Sequence, residues 1–318
     1  MPTLGVIFPG QGSQSSGMGA DAAERYPAAA ECFAQASQVL GYDLLVLLNT
    51  ASADELKETR VSQPAIFTVN VALYRAVESL GCTPIVSAGH SFGEYCSLVI
   101  AGALDFDEAL RIVNQRGLAM GAAADLVPGT MAAIIGLQEK QVDDICARTR
   151  ATTNGRVEIG NLNTPEQIVI SGDIESVEAA CALAKQEGAK RAVILNVSGA
   201  WHSELMQPAL PRFALAVENA QLRMPSFRVV SNVTAKPYSS LEEIRRCLIA
   251  SLCARVRWHE TARSLAHLEP DIIVECGASQ VLAPMMRRLP ETGSTSVVHV
   301  GDAGGVAKLH DAIAAART

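Results

Sequence analysis

The segment Gly89-His90-Ser91-Phe92-Gly93 places a hydroxyl between two glycines, after the β-type run Pro84 to Ala88 and before a helical stretch from Glu94 to Ala101. A serine on such a tight strand-to-helix turn stands clear of the sheet, glycines on both sides allow close chain approach, and the following helix N-terminus favours negative charge. That arrangement suits nucleophilic attack on an acyl carbonyl, with the backbone N–H of Phe92 as one donor to the resulting oxyanion. The competing reading is a glycine-rich turn carrying an ordinary serine. A second oxyanion donor must come from another loop, and Gly10-Gln11-Gly12, just past the first apolar run, is one candidate; a simple tight turn explains it as well.

A serine hydroxyl needs a base, and the chain has six histidines. His90 adjoins the nucleophile, but the turn aims its side chain elsewhere. His202, in Ser198-Gly199-Ala200-Trp201-His202-Ser203, follows the last strand of a smaller unit, where the returning chain can present it to the serine. His259 and His267 fall on a surface helix, His299 in a terminal strand and His310 in the last helix. Arg116 lies four residues after Ile112 and four before Met120, on or beside the apolar face of its helix. A guanidinium there needs a carboxylate. The residues alone favour a carboxylate of the protein itself; a substrate carboxylate is the alternative.

The elements that must hold these groups alternate between strand and helix. Leu4 to Phe8 is a buried strand ending at Pro9-Gly10-Gln11-Gly12-Ser13-Gln14. Ile66, Val69, Leu73, Val77 and Leu80 recur at helical spacing after Ser62-Gln63-Pro64, which reads as a helix start. Asp105 to Met120 is a helix. From about 128 to 198 the rhythm changes: strand Met131–Leu137, helix Glu139–Arg148, strands Val157–Asn161 and Gln167–Ser171, helix Ile174–Glu187, strand Ala192–Val197. This β-α-β-β-α-β order is the split βαβ pattern of a ferredoxin-like unit. It implies an insertion at 128-198 into an α/β domain made of 1-127 and 199-318, with a mostly parallel sheet covered on both faces. A helix from Ser203, a strand at Phe227 to Ser231, helices near 241–252 and 258–268, a strand from Asp271 to Glu275 and a helix end over Val306 to Ala316 complete the reading.

The formal net charge of −7 argues against a nucleic-acid partner, because phosphate binding needs clustered Lys and Arg. No apolar run approaches the ~18–20 residues that span a bilayer, and the N-terminus lacks the basic flank of a secretory signal. The eight cysteines are scattered with no Cys-x-x-Cys pair, which points to reduced thiols in the cytoplasm and away from a zinc site.

Taken together, these residues resemble the malonyl-CoA:acyl carrier protein transacylases and the related acyltransferases of polyketide synthases. The resemblance runs the length of the chain, through Phe8-Pro9-Gly10-Gln11-Gly12-Ser13-Gln14, Gly89-His90-Ser91-Phe92-Gly93-Glu94-Tyr95, Gln115-Arg116-Gly117, Asn161-Leu162-Asn163, Gly199-Ala200-Trp201-His202-Ser203 and Val256-Arg257-Trp258. It implies an α/β-hydrolase-like large domain with an inserted ferredoxin-like small domain. It also implies roles: Ser91 as the acylated nucleophile, His202 as its base, Gln11 and Phe92 as oxyanion donors, Arg116 as partner of a malonyl carboxylate, and Asn161 near the base. The implied reaction is ping-pong, from malonyl-CoA to the phosphopantetheine thiol of an acyl carrier protein, by a monomer needing no cofactor or metal. The loop Ser-Gly-Ala-Trp-His-Ser is closer to discrete polyketide enzymes. Alternatives are a hydrolase that clears acyl groups from carrier proteins, or a transferase of a substituted malonyl group. Three departures stand out. Ser251-Leu252-Cys253-Ala254-Arg255 replaces Gln-Leu-x-x-Pro, in a position where relatives orient the histidine through a backbone carbonyl. Gly277-Ala278-Ser279 replaces Gly-Pro-Gly, and Trp201 stands where malonyl-selective relatives often have Phe, crowding any α-substituent. Because carrier proteins are acidic, the clusters Lys185, Lys190, Arg191 and Arg287-Arg288 are the expected contacts.

Overall fold

In the computed structural model, which describes residues 2–315, Leu4, Val6 and Phe8 of the first strand β1 (Thr3–Phe8) pack into one core while Ile7 packs into another. That is the pattern of a strand covered on both faces. β1 pairs in parallel with β2 (Thr83–Gly89). This pair belongs to a five-stranded parallel sheet, ordered β7-β2-β1-β8-β9, whose other members are β7 (Arg228–Val230), β8 (Ile272–Cys276) and β9 (Ser296–Val300).

The second sheet is antiparallel, ordered β4-β5-β3-β6 from β3 (Thr130–Ile135), β4 (Val157–Thr164), β5 (Gln167–Gly172) and β6 (Arg191–Ile194). Helices Glu139–Thr153 and Ile174–Gln186 complete it, with Val142, Ile145, Val177 and Ala180 in a core of their own. The connectivity is the split βαβ read from the sequence, so the molecule is an α/β-hydrolase-like domain carrying a ferredoxin-like one. The second sheet is joined by the segment just before the helix Trp258–Ala266, where Val256 bridges to Asn161: Leu162 N–H donates to Val256 O at 2.8 Å and Val256 N–H to Gly160 O at 2.8 Å.

Three elements differ from their sequence reading. Pro64 does not start its helix, which spans Thr59–Glu78 and carries the proline inside. The residues from Thr59 to Gln63 are buried against the neighbouring Phe106–Leu126 helix except for Arg60 and Val61, and this packing outweighs the one backbone hydrogen bond that proline cannot donate. After Ser203 the chain makes a 3-10 turn, Glu204–Ala209, before the helix Leu210–Glu218, with Pro208 and Pro211 at the junction. β6 stops at Ile194, and Leu195 to Val197 run on as irregular chain along a cavity. The last helix is described to Ala315, so Ala316 lies outside the described residues. Among those residues no helix is long and apolar enough to cross a membrane, and all eight cysteines are free thiols.

Candidate active site

The turn from β2 into the helix Gly93–Ile100 explains both glycines of the serine motif. A Cβ on Gly89 would sit 1.9 Å from the carbonyl carbon of Gly93, and one on Gly93 would sit 2.5 Å from Phe8 O. No side chain larger than hydrogen fits at either place. Between them Ser91 is held at φ 54°, a left-handed conformation that costs a non-glycine residue about 1–3 kcal/mol. Asn232 holds this turn: its Oδ1 accepts from Ser91 N–H at 3.2 Å, and its Nδ2 donates to Ser91 O at 3.1 Å. Glu94 in turn fixes Asn232, accepting from its N–H and Nδ2, and also accepts the hydroxyl of Tyr238 at 2.7 Å. Burial raises the pKa of Glu94, while the bonds from Asn232 and Tyr238 pull the other way.

Ser91 Oγ lies 2.7 Å from His202 Nε2. His202 is also left-handed, at φ 59°, and only 4% exposed. Its Nδ1 faces two backbone carbonyls, Ser251 O at 2.9 Å and Ala254 O at 3.2 Å. Carbonyls only accept, so Nδ1 carries the proton and Nε2 is left as the acceptor for the serine hydroxyl. The replacement of the relatives' glutamine by Ser251 leaves this contact intact, because it uses the main chain. The serine's own hydroxyl is engaged elsewhere, with Leu248 O. Burial, then the charge of Arg116, then His90 push the pKa of His202 down to about 3.

Arg116, 1% exposed, donates from Nη1 to Gln63 Oε1 at 2.9 Å and from Nη2 to Ser91 Oγ at 3.3 Å. Among the described residues it forms no ion pair, and its Nε has no acceptor. Burial lowers its pKa to about 10, which leaves it charged near neutrality. The carboxylate of the protein that the residues alone favoured as its partner is therefore not there among the described residues: Glu94, whose charge acts on it from a distance, spends its oxygens on Asn232 and Tyr238. Its helix can approach Thr59–Glu78 closely because residue 117 is glycine; a Cβ there would lie 2.8 Å from Thr59 O. From Gln63 a chain of bonds runs through Thr59 Oγ1 to the side chain of Gln11, tying the guanidinium to the Gly10-Gln11-Gly12 loop.

A cavity of about 410 Å³ opens over these groups, lined by Gln11, Ser91, Arg116, Asn161, Trp201 and His202 among others. Phe92 does not line it with its ring, which is buried in the core; its N–H lies at the start of the helix, where first-turn amides have no helical acceptor. Asn161 hydrogen-bonds near His90 rather than His202: its Nδ2 is 3.4 Å from His90 Nε2, and its Oδ1 is buried without a partner. His90 points away from Ser91, its Nε2 2.9 Å from Asn163 Oδ1. The larger ring of Trp201 fits because residue 199 is glycine, where a Cβ would come within 2.5 Å of the indole. The loop after Gly277 is drawn to the cavity by buried Glu275, which accepts the N–H groups of Val281, Leu282 and Ala283.

The Ser91 hydroxyl, the His202 imidazole with its fixed tautomer and the uncompensated buried Arg116 together suit acyl transfer from a substrate that carries a negative charge. The chain belongs to the acyl transferase domain family, whose model matches residues 6–303. It is 40% identical over 304 residues to the malonyl CoA-acyl carrier protein transacylase of Haemophilus influenzae, covering 95% of this chain and 96% of that one. The structure of the corresponding transacylase from Coxiella burnetii superposes with a TM-score of 0.92 at 38% identity, covering 98% of both chains. A malonyl-transacylase solved in complex with its type II polyketide synthase acyl-carrier protein gives a TM-score of 0.91 at 38% identity, covering 97% of this chain and 99% of that one.

Proposed function

We propose that this chain is a cytoplasmic enzyme of two units, 128-198 inserted between 1-127 and 199-318, that moves malonyl groups from malonyl-CoA to the phosphopantetheine thiol of an acyl carrier protein in polyketide or fatty-acid synthesis. Ser91 Oγ attacks the thioester carbonyl while His202 Nε2 takes its proton. The N–H groups of Phe92 and Gln11 receive the oxyanion, and the coenzyme A sulfur leaves with the proton from His202. The carrier's thiol then attacks the malonyl ester by the same steps in reverse. Arg116 holds the free carboxylate of the acyl group, and Trp201 crowds substituents on its α-carbon. The observation that carries this reading is the buried guanidinium with no acidic partner among the described residues, 3.3 Å from Ser91 Oγ. A hydrolase of neutral acyl chains has no use for it. Near-full-length kinship to transacylases of this name supports the same conclusion. Intact-protein mass spectrometry after incubation with a panel of acyl-CoAs tests it: the malonyl adduct should form on Ser91 and pass to holo-carrier protein. Release of free acid from neutral acyl-carrier thioesters would establish the hydrolase instead.

The same base predicts an unusual pH profile. A lowered pKa keeps His202 in its neutral, proton-accepting form to lower pH, so an imidazole held down to about 3 stays competent throughout the mildly acidic range. For acylation by malonyl-CoA, kcat/KM is expected to stay flat from about pH 5 to 8, whereas an unshifted histidine would halve it near about 6.5. A half-maximal point between pH 6 and 7 would show that solvent reaches this imidazole.

A further inference from the structure

The imidazole of His202 is oriented at Nδ1 by main chain alone, Ser251 O at 2.9 Å and Ala254 O at 3.2 Å. Those carbonyls belong to the turn that follows the helix Leu241–Ala250, so whatever fixes this turn fixes the imidazole. On one side the turn is tied by Ala254 N–H, which donates to Ala250 O at 2.8 Å. On the other side Val256 is bonded to β4, and Arg257 N–H donates to Asn232 O at 3.0 Å. Between these ties stands Arg255, whose own N–H makes no hydrogen bond among the described residues. The resembling family's pattern has proline here, whose ring fixes φ by itself. Arginine leaves φ free, so any restraint at this position must come from its side chain.

That side chain crosses to the ferredoxin-like unit. Its Nη1 donates to Glu139 Oε1 at 3.0 Å and its Nη2 to Asp143 Oδ1 at 3.2 Å. The two carboxylates lie one turn apart on the same face of the helix Glu139–Thr153, and neither makes another hydrogen bond or ion pair among the described residues. A planar guanidinium held at both ends by different carboxylates is fixed in direction as well as in place. All three side chains are partly exposed, so these pairs add little to global stability. Reaction rate is the more sensitive quantity: a misplacement of about 1 Å in a reacting group can cost about a hundredfold. We propose that Arg255 is a positioning residue for His202, a strap from the ferredoxin-like unit to the turn that carries the two carbonyls. This rests on the reading of His202 as the base for Ser91.

The test measures malonylation by malonyl-CoA in wild type, Arg255→Ala, Arg255→Lys and the double variant Glu139→Gln/Asp143→Asn, which removes the charge from the far end of the strap. Arg255→Ala and the double variant should each lose about threefold to tenfold in kcat, with KM within about twofold of wild type and thermal unfolding close to wild type. Arg255→Lys should keep part of the rate. Joining Arg255→Ala to the double variant should cost no more than either alone, because both cut the same contact. Raising salt from ~0.05 to ~0.5 M should slow the wild type towards Arg255→Ala and leave Arg255→Ala itself unchanged, since partly exposed pairs are screened. Wild-type kcat in Arg255→Ala, a loss confined to KM, or a double variant at the wild-type rate would overturn the strap and leave the reading of His202 standing. If Arg255→Ala does not fold, the double variant decides by the same criterion. A His202→Ala protein that is malonylated at the wild-type rate would remove the base, and the strap with it.

Discussion

Replacing Ser91 by Ala is expected to abolish malonyl-enzyme formation and transfer to the carrier protein, and His202→Ala to lower acylation by ~10³–10⁶, the scale seen when members of a serine–histidine unit are removed. The serine is the only hydroxyl within hydrogen-bonding distance of His202 Nε2 among the described residues, and no cysteine lines the cavity to substitute for it. The variant should fold, because Asn232 grips the turn through the N–H and carbonyl of residue 91 and not through its hydroxyl. Thermal unfolding close to wild type, with no mass gain from malonyl-CoA, is the expected pair of results. A Ser91→Ala protein that still acquires a malonyl group would remove the serine from the role of nucleophile.

The sequence disclosed the candidate groups that the structure brings to the cavity far better than the groups that hold them. Ser91 could be read because its turn demands glycines at 89 and 93, a local steric need that leaves a local mark. Arg116 could be placed on its helix but not given a partner, because the absence of a carboxylate around a buried cation is a fact of three dimensions. Asn232 was missed for the same reason. It lies 141 positions from the serine it clamps, in a stretch that shows only a short strand and a turn. Glu94 stood in plain view directly after the motif and was given no role; an acidic residue in a first helical turn is so commonly explained by the helix dipole that burial, not sequence, singles it out. The ferredoxin-like unit was legible because alternation of strand and helix periods is carried by each segment alone. The misread start at Pro64 marks the converse, where packing between two long helices overrode a local signal.

Arg116→Ala should convert a dicarboxylate-selective enzyme into one indifferent to the acyl group's charge. With the guanidinium gone, a malonyl carboxylate entering the cavity would lie buried without a partner. Breaking a buried pair on one side costs roughly 3–5 kcal/mol, or about a hundred-fold to several thousand-fold in kcat/KM. Acetyl-CoA offers nothing to Arg116, and its methyl group must displace water from an unpaired cation. Removing that cation therefore leaves acetyl transfer unchanged or improves it. Gln63 loses one bond but keeps its bond to Thr59, so the loop that carries Gln11 stays tethered. Arg116→Lys should fall between the two, since an ammonium keeps the charge but cannot present two parallel donors. The measurement is kcat/KM for malonyl-CoA and acetyl-CoA in all three proteins. A ratio that collapses in Arg116→Ala assigns the carboxylate contact to this residue. An equal fall on both donors would make Arg116 a support for Ser91, which its Nη2 also contacts, and the choice of a dicarboxylate would then have to come from elsewhere in the cavity.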